Sequence, residues 1–216
     1  SLRYRWAAMN PPVSEDDNEG YLGSEPLDPA LADRFAFIAE MPSWENLLED
    51  DQLRIIVAGD ECGGPAASSA LRRTIESTRA SISILQESMG DAVAVYVRTL
   101  VALLAQASIC LSPRRAGMLL RSVVAVHAAA TATDPSASPS DSALLAVQSG
   151  LPQRAQGIKV PRVKFLTAHK EAWRLADVKP GDPLRTILTA RNPLEQVRLA
   201  VAATNLRKSD FSGIVA

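Results

Sequence analysis

Residues 111–132, LSPRRAGMLLRSVVAVHAAATA, mark the beginning of a long helix. Ser112 is one of the residue types that cap helix N-termini, and Pro113 suits the first helical position because its missing N–H is not needed there. The pair therefore predicts a helix that runs from Pro113 to about Ala132.

Further helical patterns lie upstream. Ser43 predicts the start of a helix over residues 43–59, and Gly90-Asp91 predicts a break between two later helices. Before that break, apolar residues recur at spacings of four, seven, three and four, on one helical face: Leu71, Ile75, Ile82, Leu85 and Met89. These patterns favour a mainly α fold built around a helical bundle.

The remaining helices are separated by a polar connection. Residues 131–142, TATDPSASPSDS, predict a Pro/Ser surface loop, with helices near 142–149 and 164–176. Asp182-Pro183 and Asn192-Pro193 predict two more helix starts before the tail. We expect four segments: the edge of an α/β core over 1–43, a helical bundle over 44–133, a helical extension over 134–176, and a C-terminal helical tail over 177–216.

The first segment predicts a two-strand remnant of an α/β core. Residues 2–8 alternate as a strand does, and Asn10-Pro11-Pro12 ends it. Asp28-Pro29 predicts a short helix through Arg34, and residues 35–41, FAFIAEM, predict a buried strand. Since two strands do not make a stable sheet, we expect further strands to precede Ser1.

Composition limits the classes of partner and compartment. The net charge of −1 disfavours nucleic acid, including a helix-turn-helix function. Cys62 and Cys110 lie in no CxxC pattern, so we expect neither a disulfide framework nor a metal site. Because disulfides are rare in the reducing cytosol, this also favours a cytoplasmic location. There is no signal-peptide pattern, and Arg98 interrupts the most apolar stretch, so no membrane span is expected.

Two polar residues lie at positions where a ligand could bind: Asn10 at the end of a predicted strand and Arg34 at the end of a predicted helix. Asn10 follows a strand, but asparagine also bonds its own backbone in turns. Arg34 could serve a ligand, or it could simply complement the helix dipole. Because adjacent residues of a helix do not face each other, Asp33 and Arg34 should have different partners.

Arg114 and Arg115 lie in the first turn of the predicted helix, where the backbone N–H groups already make a positive end. Two cations there are unfavourable unless an anion binds between them and the N–H groups. A salt bridge to a neighbouring acidic loop is the competing explanation. Both explanations stay open for the pair.

The chain carries no complete catalytic site. It has no G-x-x-x-x-G-K-[ST] phosphate loop, and no predicted strand ends in a paired acidic motif that could hold magnesium. His127 and His169 lie in the middle of predicted helices, where a packing or surface role is expected and a Ser-His-Asp set is not.

The order of these features resembles the second half of an AAA+ ATPase of the MoxR type. The resemblance covers residues 2–130 and continues more loosely to 176. AMNP resembles the sensor-1 strand, so Asn10 would orient the attacking water, and LDPALADRF resembles the arginine-finger segment, which maps to Arg34. SPRRA resembles the sensor-2 motif, which maps to Arg114, with Arg115 as a second candidate for the phosphates.

This resemblance implies an ATPase that remodels or matures a partner protein in the manner of a chaperone. The intact protein would use ATP and Mg²⁺ and form a homo-oligomeric ring, a hexamer in this family, with a VWA-domain protein as a further partner. The chain alone lacks Walker A and Walker B, so it should bind no cofactor and be inactive. The alternative is a helical adaptor module with no nucleotide role. The sequence leaves open the substrate protein, the ring size and the role of residues 177–216.

Overall fold

The fold was determined as a computed structural model that describes residues 7–9, 25–58, 65–179, 181–190, 192–203 and 206. Over these residues the chain is mainly helical and contains no strand, which confirms the mainly α part of the predicted fold class but not its two-strand remnant. Asn10, Cys62 and most of the first predicted strand lie outside the described residues.

Eight α-helices occur among the described residues. In chain order they are α1 Pro29–Ala32, α2 Glu49–Ala58, α3 Pro65–Gln106, α4 Pro113–Thr133, α5 Pro139–Gly150, α6 Arg162–Ala176, α7 Pro183–Thr189 and α8 Pro193–Ala202. Short 3-10 helices cover Trp44–Asn46 and Pro152–Gln156.

The described residues fall into two compact units, one within 1–90 and 111–161 and the other within 91–110 and 162–216. Helix α3 contributes residues to both units. The boundaries predicted after residues 43, 133 and 176 are divisions by sequence motif and stay predictions.

Five of the helices begin in the same way. Each has proline in its first turn and, before it, a side-chain oxygen that accepts a backbone N–H of that turn: Asp28 for α1, Ser112 for α4, Ser138 for α5, Asp182 for α7 and Asn192 for α8. Such a cap satisfies an N–H group that has no partner inside the helix. The caps predicted at Asp28, Ser112, Asp182 and Asn192 are therefore confirmed.

Helices α4 and α5 pack together in the first unit. Their facing residues are fully or almost fully buried: Leu119, Val123, Val124, Ala143, Ala146 and Val147. Gly150, at the end of α5, is in close contact with α4, because a Cβ atom at this position would lie 2.7 Å from Cδ2 of Leu119. The absent side chain of Gly150 thus makes room for a core leucine.

His127 also belongs to this core. Its Nδ1 lies 3.1 Å from Oγ of Ser142, and that hydroxyl donates to the carbonyl of Ser138. Since the single hydroxyl proton goes to Ser138, Nδ1 of His127 carries the proton and donates to Ser142. Burial lowers the pKa of His127, so the neutral ring is the favoured form in the folded chain.

In the second unit, the hydroxyl of Tyr96 lies 2.9 Å from Nδ1 of His169. The Tyr96 ring also meets Trp173 edge to face, with the ring centroids 5.4 Å apart. Burial raises the pKa of Tyr96, so the hydroxyl keeps its proton as a donor. His127 and His169 are both buried, and the packing role predicted for them is confirmed.

The buried strand predicted over residues 35–41 is wrong. These residues are irregular, and Met41 is 86% exposed. Their backbone groups find partners other than a neighbouring strand: the carbonyl of Phe35 accepts from Arg115, and the N–H of Ile38 donates to the carbonyl of Ser149. The apolar run therefore lies against helix ends rather than in a sheet.

Four predicted boundaries are also corrected. Helix α3 continues through Gly90-Asp91, since one glycine costs a helix only about 1 kcal/mol. The predicted loop over 131–142 shortens to residues 134–138, because Ser138-Pro139 caps α5. The first predicted helix is divided into the 3-10 turn and α2, and α1 ends at Ala32 rather than Arg34.

Two described helices are long and apolar enough to cross a membrane. They are residues Ser69–Gln106 of α3 and the whole of α4, with mean hydropathy of 1.5 and 1.3 in their most apolar windows. Helices of this composition also form the cores of soluble proteins, so two of them alone are a weak sign of a membrane protein.

Replacing Gly150 by alanine should lower the free energy of unfolding by about 1–3 kcal/mol, because the new methyl group would overlap buried Leu119. Gly90→Ala is the matched control: no atom lies within 4 Å of its new Cβ, so a gain of about 0.5–1 kcal/mol is expected. Urea unfolding of the two variants measures both effects, and a neutral Gly150→Ala would contradict the close contact.

The low pKa of His127 predicts a stability that depends on pH. The unfolded ring takes up a proton near pH 6.5, whereas the buried ring resists it, so stability contributed by the neutral ring is lost as pH falls below about 6.5. The loss should not exceed about 1.4 kcal/mol per pH unit. Urea unfolding gives the free energy of unfolding at pH 7.5 and at pH 5.5, and the drop between these two values should be smaller for His127→Gln than for the unchanged chain. An equal drop in both would mean that groups other than His127 cause the pH dependence.

Candidate functional site

The end of α1 is joined to the start of α4 through one carboxylate. Oδ2 of Asp33 accepts a 2.6 Å hydrogen bond from Oγ of Ser112, and Oδ1 accepts a 3.2 Å bond from Nε of Arg115. Ser112 Oγ also accepts from the backbone N–H of Arg115 at 3.0 Å, which is its capping bond. We call Asp33, Ser112 and Arg115 the clamp.

The guanidinium of Arg115 is fully buried, with 0% of the residue exposed. Besides Asp33, it donates through Nη1 to the carbonyl of Phe35 at 2.6 Å and through Nη2 to the carbonyl of Ala32 at 2.8 Å. The Ala32 carbonyl belongs to the C-terminal end of α1, where carbonyls lack partners inside the helix.

Electrostatics keep this buried cation in place. Burial lowers the pKa of Arg115, and the hydrogen bond and charge of Asp33 act in the opposite direction. Arginine stays charged in proteins, so the pair is ionic. A buried charge is tolerated when it is both paired and hydrogen-bonded, and Arg115 meets both conditions.

The clamp gives the two neighbouring arginines different roles. The salt bridge to an acidic residue, one of the two explanations left open, accounts for Arg115. Arg114 is exposed and makes no hydrogen bond or ion pair with any other described residue. Successive helical residues point about 100° apart, which is why one side chain is buried and the other is not.

Arg34 is exposed as well, and its side chain makes no hydrogen bond or ion pair within the described part of the chain. Its neighbour Asp33 bonds to Ser112 and Arg115 rather than to Arg34, and a separate partner for the Arg34 side chain stays a prediction. Arg34 and Arg114 thus each lie one residue from a member of the same clamp.

This arrangement suits an anion. Two exposed guanidinium groups offer positive charge and N–H donors, which phosphate groups prefer. A divalent metal fits less well, because the described residues contain no group of three or more His, Cys, Asp or Glu side chains that could hold one. Asn10, predicted with Arg34 as a catalytic residue, lies outside the described residues.

Sequence reasoning missed the partnership between Asp33 and Arg115. One signal was available: Arg115 precedes Leu119 by four residues and Val123 by eight, which places it on the buried stripe of α4. An arginine on such a stripe needs an acidic partner. Its identity could not be read, because Asp33 lies 82 residues away in the chain.

Compared with protein-family models, with curated proteins and with solved structures, the chain has no match.

Removing the Arg115 side chain should be strongly destabilising. Arg115→Met leaves Asp33 without its charge partner, removes the Nη1 donor of the Phe35 carbonyl and leaves the Ala32 carbonyl only the N–H of Phe35, for an expected loss of about 3–5 kcal/mol. Arg114→Met is the matched control, since the same substitution one residue earlier removes no contact among the described residues and should change little. Guanidinium unfolding compares them, and similar losses in both variants would argue against the clamp.

Proposed function

We propose that this chain supplies the sensor and lid elements of a MoxR-like AAA+ ATPase, which couples ATP hydrolysis to the remodelling or maturation of a partner protein. The observation that carries the proposal is that two exposed arginines, Arg34 and Arg114, each lie next to a member of the clamp in the chain. Both are residues for which the motif order implies contact with a nucleotide.

The two arginines would act on different nucleotides. Phosphoryl transfer is catalysed mainly by positioning and by placing positive charge around the transferring group. Arg34, held by the clamp at the end of α1, would reach the triphosphate bound by a neighbouring copy. Arg114, in the first turn of α4, would contact the phosphates bound by its own copy, and Asn10 would orient the attacking water. Arg115 is not assigned to the phosphates, because its Nε and both Nη atoms donate within the clamp or to α1 and the segment after it.

Arg34 and Arg114 suit only part of the proposed cofactor, ATP with Mg²⁺. Guanidinium groups suit the phosphates of ATP, but the described residues hold no cluster of carboxylates for Mg²⁺. The phosphate loop and the magnesium ligands would come from a Walker A and Walker B region that this sequence does not contain. The chain alone should therefore be inactive.

An arginine that acts on a neighbouring copy requires a head-to-tail interface, which closes into a ring. We therefore propose a homo-oligomeric ring, of six copies as in the family that the chain resembles, with a VWA-domain protein as a partner. The proposed location is the cytoplasm, without binding to nucleic acid or membrane.

A helical adaptor module is the second candidate, and α2 favours it. Leu53, Ile56 and Val57 on this helix are 53%, 67% and 83% exposed, so its apolar side chains are open to a partner. An adaptor would lose partner binding when these residues become polar and would not depend on Arg34 or Arg114.

The test replaces the arginines one at a time in the intact ATPase. Arg34→Ala should leave nucleotide affinity nearly unchanged and lower kcat by about 10³-fold or more, as loss of an arginine finger does. Arg114→Ala should instead weaken nucleotide binding. Turnover and binding of a fluorescent ATP analogue measure the two effects.

Arg54→Ala is the control, because Arg54 is an exposed arginine of α2 paired only with nearby Asp51. If Arg34→Ala and Arg114→Ala both behave like Arg54→Ala, the nucleotide role is wrong and the adaptor remains.

A further inference from the structure

We infer that two copies of this chain associate by exchanging α2, so that α2 of each copy packs antiparallel on the first turns of α3 in the other copy. This inference goes beyond the proposed function and does not depend on a bound nucleotide. It rests on two exposed rows of side chains in the first unit, one on each helix, that match in spacing and in charge.

The row on α2 begins with an acid and continues with two apolar residues. Glu49, Leu53 and Val57 follow one another at intervals of four, which places them on one face of the helix. All three are exposed, and exposed Ile56 lies beside them. We call Glu49, Leu53 and Val57 the α2 row.

The row on α3 has the reverse order and the opposite charge. Leu71 and Ile75 are 62% and 42% exposed, and Arg79 follows them one turn later on the same face. Arg79 is exposed as well. We call Leu71, Ile75 and Arg79 the α3 row.

The two rows are complementary when the helices run antiparallel. Residues four apart rise by about 6 Å along a helix, so both rows have the same length. The facing pairs are Val57 with Leu71, Leu53 with Ile75, and Glu49 with Arg79. The match gives two apolar pairs and one pair of opposite charges.

The charges around the rows favour the same pairing. Helix α2 has three acidic residues and one arginine, whereas residues 65–81 of α3 have three arginines and one glutamate. Opposite charges steer two surfaces together, and like charges disfavour the wrong partner. Pairing of α2 with α3 is therefore preferred to pairing of either helix with its own copy.

A second copy supplies the missing partner of both rows at once. Within one copy the side chains of both rows are exposed, so neither row covers the other. Apolar side chains grouped on an open surface are typical of an interaction site. In a two-fold arrangement each contact occurs twice, since α2 of the first copy meets α3 of the second and the reverse. Such a dimer closes and leaves neither row open.

The first test measures the mass and the dimer dissociation constant of the 216-residue chain by sedimentation equilibrium. A dimer of twice the 23.1 kDa chain mass is expected. Leu53→Ser and Ile75→Ser should each raise the dissociation constant by about 100-fold or more, because each removes two buried apolar side chains per dimer.

Leu145→Ser is the matched control, because Leu145 on α5 is 53% exposed, the same fraction as Leu53. It should leave the dissociation constant unchanged. A chain that stays monomeric, or an equal effect of Leu145→Ser, overturns the inference.

The second test reverses the charges of the facing ion pair. Glu49→Arg and Arg79→Glu should each raise the dissociation constant about tenfold, since the pair occurs twice in the dimer, and the double variant should return it to within about twofold. Glu87→Arg makes the same charge change at an exposed position of α3 outside the row and should have little effect. Losses that simply add in the double variant overturn the pairing.

The third test distinguishes exchange from packing within one copy. With Cys62 and Cys110 changed to serine, copies with Glu49→Cys are mixed with copies with Arg79→Cys and oxidised. A disulfide-linked dimer is expected, and a mixture of Glu49→Cys with Glu87→Cys should not give one. If a chain with both Glu49→Cys and Arg79→Cys forms only an internal disulfide and stays monomeric, α2 packs on its own α3 and the exchange is wrong.

Discussion

Burial of a permanent positive charge sets the main constraint on the first unit. Arg115 is fully buried, so its guanidinium must be neutralised and its N–H groups must find acceptors. Asp33 supplies the charge, and the carbonyls of Ala32 and Phe35 accept from the two Nη atoms. This one side chain fixes the end of α1, the direction of the segment after it and the start of α4. The exposed arginines on either side owe their positions to a residue that is itself inaccessible.

The same interaction explains why an apolar stretch after α1 does not become a strand. A strand needs a neighbouring edge to which it can donate and from which it can accept. Residues 35–38 instead bond to the side chain of Arg115 and to the last turn of α5. Residues 35–41, FAFIAEM, have a local preference for extended structure, but the hydrogen-bond partners available to their backbone groups lie at helix ends. Tertiary bonding therefore decided the outcome.

The proposed function uses this contrast between buried and exposed cations. Arg114 and Arg115 are identical in chemistry and adjacent in sequence, and one is accessible to a phosphate while the other is not. Under the proposed function, the clamp would hold the backbone at both exposed arginines in place before a nucleotide binds, which would reduce the entropy lost on binding.

The sequence by itself determined the helical character of the chain and the starts of four of the eight described α-helices. A cap followed by proline at Asp28, Ser112, Asp182 and Asn192 acts through bonds within one turn, so it can be read locally. The buried stripe of α4 was readable for the same reason, since its period belongs to a single helix. Tertiary structure alone decided that Asp33 pairs with Arg115 and that Leu119 packs closely against Gly150. It also decided that residues 35–41 form no regular secondary structure. Those outcomes depend on which distant groups compete for the same donor, acceptor or volume, and that competition is settled only when the elements pack.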